Sequence, residues 1–185
     1  MSDSHTRIYL TGFMGSGKST VGPHVARLLG YRFVDLDRQI ENETGLPVAA
    51  FFRLKGEPAF RKVEREALER LMREDRVVVS LGGGGVAQDD LRLRLLETGT
   101  LVCLSVPFDV LVERLSRNPA KRPMLHGAGS TPLGGDELVQ RIRALLAARA
   151  DAYAQAHVMV DGDSPSPEDT ARRVVAAVQS RPDAA

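Results

Sequence analysis

The chain has 185 residues, 43% of them hydrophobic and 26% charged; this is enough for one domain with a buried core, too few for two ordinary domains, and unlike a disordered chain or a coiled coil. Its 25 Lys and Arg nearly cancel its 24 Asp and Glu, which excludes the global positive field that would draw in nucleic acid or an anionic membrane, so local basic clusters must serve local anions. One cysteine, Cys103, excludes an intrachain disulfide and a cysteine-based zinc site, and its place in the apolar run 100–106 reads as a core thiol.

In chain order, residues 1–7 are polar and lack the apolar centre of a signal peptide. The longest apolar stretches, such as 77–79 and 101–104, fall far short of the ~20 residues a membrane helix needs. The expectation is a cytoplasmic protein. A strand over 7–11 leads into a glycine loop and a helix over 18–29. A strand over 33–35 is followed by helices over 37–44, 47–54 and 57–73. A strand over 76–81, a helix over 88–96, a strand over 100–106 and a helix over 107–116 come next. The stretch 117–135 carries three prolines and four glycines with no clean period, which predicts an active-site lid. A long helix over 136–153, a strand over 157–161 and a helix over 167–179 complete the pattern, and 181–185 reads as a frayed tail. Ser166 caps the last helix, with Pro167 at its first position and Glu168 and Asp169 in its first turn, where the dipole favours acids. Strands alternating with helices predict an α/β fold, a parallel sheet covered on both faces.

Gly12-Phe13-Met14-Gly15-Ser16-Gly17-Lys18-Ser19 fits G-x-x-x-x-G-K-[ST] at every fixed position, and Thr20 follows. A strand precedes it and a helix follows, as the mechanism of a phosphate-binding loop requires. Glycines let backbone N–H groups curl around phosphates, and the helix N-terminus adds partial positive charge. Lys18 is placed to reach the β- and γ-phosphates and the Ser19 hydroxyl to ligate Mg²⁺.

Asp35 and Asp37 stand i, i+2 at the end of a predicted strand, which would aim both at the edge of the sheet where ligands collect. We assign Asp35 to the metal and Asp37 to the substrate and to proton acceptance; the alternative is that Asp37 merely caps the next helix. The strand over 76–81 brings no acid, so a metal-binding carboxylate must come from elsewhere. The run Gly82 to Gly85 lets a ligand lie on bare backbone or is a plain turn. Arg61 and Glu64 are i, i+3 on a helix, either a solvated pair or a clamp in which Glu64 fixes Arg61 for a substrate carboxylate. Lys121 and Arg122, inside the lid stretch, could close over a transferring phosphoryl group. Arg149, near the end of the long helix, could add a second cation. Phe51, Phe52 and Met72 read as core packing, and the four histidines form no ligand spacing.

Together these residues resemble the bacterial shikimate kinases from about Ile8 to about Val178. The matching motifs are Gly12 to Thr20, Asp35 with Asp37, Gly56-Glu57 with Phe60-Arg61 and Glu64, Leu81-Gly82-Gly83-Gly84, Arg122-Pro123, and Arg149 followed by Tyr153. The resemblance implies a three-layer P-loop NTPase fold of the nucleoside-monophosphate-kinase type, with a five-stranded parallel sheet in the order 2-3-1-4-5. It implies transfer of the γ-phosphoryl group of ATP, with Mg²⁺, to the 3-hydroxyl of shikimate. ATP would contact Gly15, Ser16, Gly17, Lys18, Ser19, Thr20 and Arg122, and shikimate would contact Asp37, Arg61, Gly83 and Arg149. Lys18, Asp37 and Arg122 would be catalytic, and Ser19 and Asp35 would hold the metal. Where such enzymes often place an arginine beside adenine, this chain has Gly162-Asp163-Ser164-Pro165, which leaves Arg117 or backbone for that contact. The chain is read as a monomer acting on two small molecules, with no nucleic-acid or membrane partner. A kinase for another hydroxy acid such as gluconate, or a nucleotide switch, is the alternative; the Asn-Lys-x-Asp run of a GTPase is absent.

Overall fold

The computed structural model describes residues 6–117, 123–127 and 131–181. Five strands, β1 (Arg7–Thr11), β2 (Arg32–Asp35), β3 (Val77–Ser80), β4 (Thr100–Ser105) and β5 (Val158–Asp161), pair in parallel in the order β2-β3-β1-β4-β5. The expected α/β architecture and strand order are present, and no strand end departs from its predicted place by more than one residue. The helices are α1 (Lys18–Leu29), α2 (Leu36–Thr44), α3 (Val48–Lys55), α4 (Glu57–Leu71), α5 (Asp89–Thr98), α6 (Phe108–Ser116), α7 (Gly135–Ala147), α8 (Ala150–Ala154) and α9 (Pro167–Gln179).

Side-chain alternation along the strands sorts the core into two layers. Ile8, Leu10, Val78, Val102 and Leu104 meet Val21, Val25, Val174 and Val178 of α1 and α9 on one face. Tyr9, Val77, Val79, Leu101 and Cys103 meet Leu68, Leu71, Leu91 and Leu95 of α4 and α5 on the other. A sheet buried on both sides explains why β3 and β4 read as continuous apolar runs. Each fully buried Leu, Ile or Val contributes roughly 1.5–3 kcal/mol. Cys103 is a core thiol, pushed up to about 11 by burial.

Three expectations change. The helix predicted over 136–153 is two helices, with Arg149 at φ −118°, ψ −3° between them. No glycine or proline marks that break; the apolar stripe Leu138, Ile142, Leu145, Ala152 and Tyr153 runs through it at helical spacing and hides it. The stretch 117–135 is not structureless where described. A 3₁₀ turn spans Pro123–Leu125, Leu125 is fully buried, and Leu133 N–H donates to the Leu125 carbonyl at 3.0 Å. The predicted tail begins with an anchored residue, because Arg181 Nη1 donates to Thr100 Oγ1 at 3.2 Å; 182–185 lie outside the described residues. Among the described residues no helix is long and apolar enough to cross a membrane.

Candidate active site

The carboxyl ends of all five strands open on one edge of the sheet, the edge where ligands bind in open α/β folds. From β1 the chain turns through Gly12, Gly15 and Gly17, whose φ values of 135°, 82° and 95° are strained for any other residue. A Cβ at Gly12 would stand 2.6 Å from the Leu104 carbonyl oxygen. Gly17 caps α1 without a side-chain hydrogen bond, and the first turn of α1 carries no acid. The N–H groups and dipole at this end of the helix are therefore left for an anion. The Lys18 ammonium folds onto the loop, donating to the carbonyls of Gly12 at 2.8 Å and Phe13 at 3.1 Å.

Ser19 Oγ donates to Asp35 Oδ2 at 2.6 Å, and the other carboxylate oxygen of Asp35 accepts from Arg38 N–H at 3.2 Å. Asp35, not Asp37, is thus the N-cap of α2. This corrects the strand-alternation argument: the cap turns the chain into helix directly after Asp35, so Asp37 sits in the first turn of α2. The Asp37 carboxyl is pushed up to about 6, chiefly by burial and then by Asp35 and Glu64, against the pull of Lys18. A carboxylate tuned to that range suits proton acceptance near neutral pH.

The glycine run after β3 is a floor on which three charged side chains rest. A Cβ at Gly82 would lie 2.6 Å from Asp37 Oδ1, one at Gly83 would lie 2.8 Å from Arg149 Nη1, and one at Gly84 would overlap both terminal nitrogens of Arg61. Sequence reasoning named the run Gly82 to Gly85 and assigned substrate contact to Gly83 alone, without foreseeing the side chains that rest on Gly82 and Gly84. Arg61 Nη1 donates to Glu64 Oε2 at 2.7 Å, and its Nε and Nη2 donate to Glu57 Oε1. Glu64 is fully buried, so this is no solvated surface pair, and its Oε1 has no hydrogen-bond partner. Burial raises the Glu64 carboxyl pKa against the pull of Arg61. Arg149 is buried, lies 5.9 Å from the Phe13 ring centroid, and carries a buried Nη1 without a hydrogen-bond partner. It is no surface helical arginine, and its place on the apolar stripe 138–153 was the signal. Phe52 packs against the core as expected and has a second role. Phe51 packs in the core, and Phe52, about 100° further around α3, also lines the cleft beneath Arg61, its ring centroid 5.8 Å from the guanidinium.

Residues 15–20, Asp35, Asp37, Arg61, Gly83 and Arg149 all line one cleft of about 1000 Å³. It extends past the phosphate loop to Arg114, Gly162 and Ser164. Arg114, unforeseen from the sequence, donates to the Gly15 carbonyl at 3.2 Å and pairs with Asp163 at 3.3 Å. Arg117 instead extends from the end of α6 to Glu113 at 2.5 Å, away from the cleft lining. Met124 of the lid stretch lines the cleft, and Arg141 Nε ties its carbonyl to α7 at 3.0 Å. Lys121 and Arg122 lie outside the described residues.

The family model described as shikimate kinase matches residues 14–179. The chain belongs to the shikimate kinase family. It is 43% identical over 177 residues to the shikimate kinase of Salinibacter ruber, covering 95% of this chain and 87% of that protein. It is 41% identical over 170 residues to a shikimate kinase of Thermus thermophilus, covering 92% and 88%. The structure of shikimate kinase from Acinetobacter baumannii in complex with shikimate superposes with a TM-score of 0.85 at 32% identity, covering 96% of this chain and 95% of that one. A relationship of this extent spans every element of the cleft, from the phosphate loop to the helix that follows β5.

Proposed function

We propose that this cleft transfers the γ-phosphoryl group of ATP to the 3-hydroxyl of shikimate, with the phosphates on residues 12–20 and shikimate on Asp37, Arg61, Gly83 and Arg149. One observation carries the reading: two guanidiniums and a carboxylate of raised pKa rest on three consecutive glycines beside a phosphate loop. A hydroxy acid meets each need of that arrangement. Its carboxylate takes the donors of Arg61 and Arg149, its hydroxyl proton goes to Asp37, and its ring lies on bare backbone. Lys18 exchanges loop carbonyls for phosphate oxygens and offsets charge that builds on the transferring group. Arg122 would add positive charge to the transferring group as part of a lid over 117–135.

The residues present fit magnesium. Ser19 Oγ and Asp35 Oδ2 are adjacent hard oxygens, 2.6 Å apart, and Mg²⁺ takes one or two protein oxygens while keeping waters and phosphates. Ser19 and Asp35 would hold it, and the ion would neutralise phosphate charge. The chain acts as one kinase domain, a cytoplasmic monomer serving two small molecules.

A coupled ADP-release assay with shikimate, gluconate or no acceptor tests the assignment. Rapid release with shikimate alone is expected. Equal rates with gluconate would move the substrate assignment to another hydroxy acid, and slow hydrolysis indifferent to acceptor would mark a nucleotide switch.

The glycine floor yields a sharper expectation. Gly84 has φ −110°, ψ −16°, which alanine adopts freely, and the three atoms nearest the added methyl all belong to the Arg61 guanidinium. Gly84→Ala should raise the KM for shikimate about tenfold or more, the equivalent of ~1.4 kcal/mol, and lower the melting temperature by less than Arg61→Ala does, because the displaced guanidinium keeps its charge near Glu64. A KM within twofold of wild type would show that Arg61 does not need that floor.

A further inference from the structure

Arg92 sits on α5, outside the cleft lining, yet its guanidinium is buried and fully engaged. Nη1 donates to the Val86 carbonyl at 3.0 Å, Nε donates to Gln155 Oε1 at 3.0 Å, and Nη2 pairs with Asp89 at 2.8 Å. These partners belong to three different pieces of chain. Val86 lies in the 3₁₀ turn Gly85–Ala87, which continues the glycine floor through Gly85 N–H to the Gly82 carbonyl at 3.4 Å and Ala87 N–H to the Gly84 carbonyl at 3.1 Å. Gln155 is the C-cap of α8, the short helix whose N-cap is Arg149, and Tyr153 N–H donates to the Arg149 carbonyl at 3.0 Å. Asp89 opens α5 itself.

We infer that Arg92 is a positioning residue that bolts the glycine floor to α8 and so sets Arg149 against Gly83. The break at Arg149 carries no glycine or proline, and α8 is a helix of five residues, too short to hold its place by its own hydrogen bonds. It packs against the 3₁₀ turn, and Arg92 is the side chain that grips both. A guanidinium can do this because its donors point in several fixed directions at once; an ammonium on a single stem cannot reach a carbonyl on one side and an amide oxygen on the other with the same geometry. The buried Nη1 of Arg149, 2.8 Å from where a Gly83 Cβ would stand, is the group whose aim depends on this bolt. A misplacement of about 1 Å at a binding group is enough to weaken a substrate interaction severely.

This inference rests on the reading of Arg149 as a shikimate ligand, and the test separates the two. Arg92→Lys should raise the KM for shikimate about fivefold to tenfold, and Gln155→Ala, which removes the arm to α8 together with the Gln155 Nε2 bond to the Asp151 carbonyl at 3.3 Å, about twofold to fivefold. The KM for ATP should stay within twofold in both, because the phosphate loop is held by β1 and α1. In an Arg149→Ala background, Arg92→Lys should add no further increase in the KM for shikimate. A melting temperature that falls with both KM values unchanged would make Arg92 a purely structural residue and overturn the inference. An unchanged KM for shikimate in Gln155→Ala overturns it too, even where Arg92→Lys fails to fold. An unchanged KM for shikimate in Arg149→Ala alone would instead overturn the assignment of Arg149.

Discussion

Replacing Asp37 with asparagine should lower kcat by about 10²-fold or more and, above pH 7, raise the melting temperature. The first effect follows from losing a proton acceptor whose contribution is typically 10²–10⁴-fold. The second follows from the cost of keeping that acceptor. The folded-state value of about 6 lies above the ordinary 3.8 because burial, Asp35 and Glu64 all oppose the charge. The folded chain therefore binds this proton more tightly than the unfolded chain. Stability falls as pH rises from about 4 to about 6, and the deficit persists at higher pH. Two pKa units correspond to ~3 kcal/mol as an upper figure, so relief of order 1–3 kcal/mol, or about 2–12 °C in a chain this long, is expected in the variant. Melts at pH 5 and pH 8 together with kcat measurements check both halves. Near-normal kcat would remove Asp37 from proton acceptance, and a gap in melting temperature that is the same at both pH values would show that charge burial is not its origin.

The parts legible in sequence are those where a local rule and the fold agree. The phosphate loop needs glycine at fixed positions for backbone reasons, so Gly12 to Ser19 could be read letter by letter, and α1 and α9 begin and end where their caps say. Strands buried on two faces announced themselves as apolar runs. What escaped was set by tertiary contact. The run Gly82 to Gly85 read as bare backbone for a ligand, but the charged groups that rest on Gly82 and Gly84 were not legible because they come from α2 and α4, distant in sequence. Arg92 was illegible for the opposite reason, since its polarity makes sense only beside partners the sequence does not name, whereas Arg149 was named as a candidate cation without the helix break that seats it. For Arg92 the available signal was an arginine between the buried Leu91 and Leu95. Asp35 and Asp37 were assigned from a periodicity that ends at Asp35, two residues short of Asp37, and both acids still line the cleft because the cap and first turn of α2 sit at the strand edge.

Arg61→Ala should damage binding and folding together, and the two losses can be separated. The guanidinium is the ion-pair partner of a fully buried Glu64. Removing it strands a charge in the core, a change that typically costs 3–5 kcal/mol, so a fall in melting temperature of about 6–20 °C is expected. The same variant loses charge-assisted hydrogen bonds to the substrate carboxylate, each of which is worth about 1.5–3 kcal/mol, so the KM for shikimate should rise by about 10-fold to 100-fold. Glu64→Gln introduced into Arg61→Ala removes the stranded charge and should recover most of the melting temperature while leaving the KM high. Arg149 makes the contrast, because its Nη1 is buried without a hydrogen-bond partner. Arg149→Met should raise the KM for shikimate with little loss of stability or a gain, since it removes a buried charge and keeps apolar contact with Phe13. Should Arg61→Ala lower the melting temperature yet leave the KM for shikimate unchanged, Arg61 would be the neutraliser of Glu64 alone, and the carboxylate would have to be held by Arg149 without it.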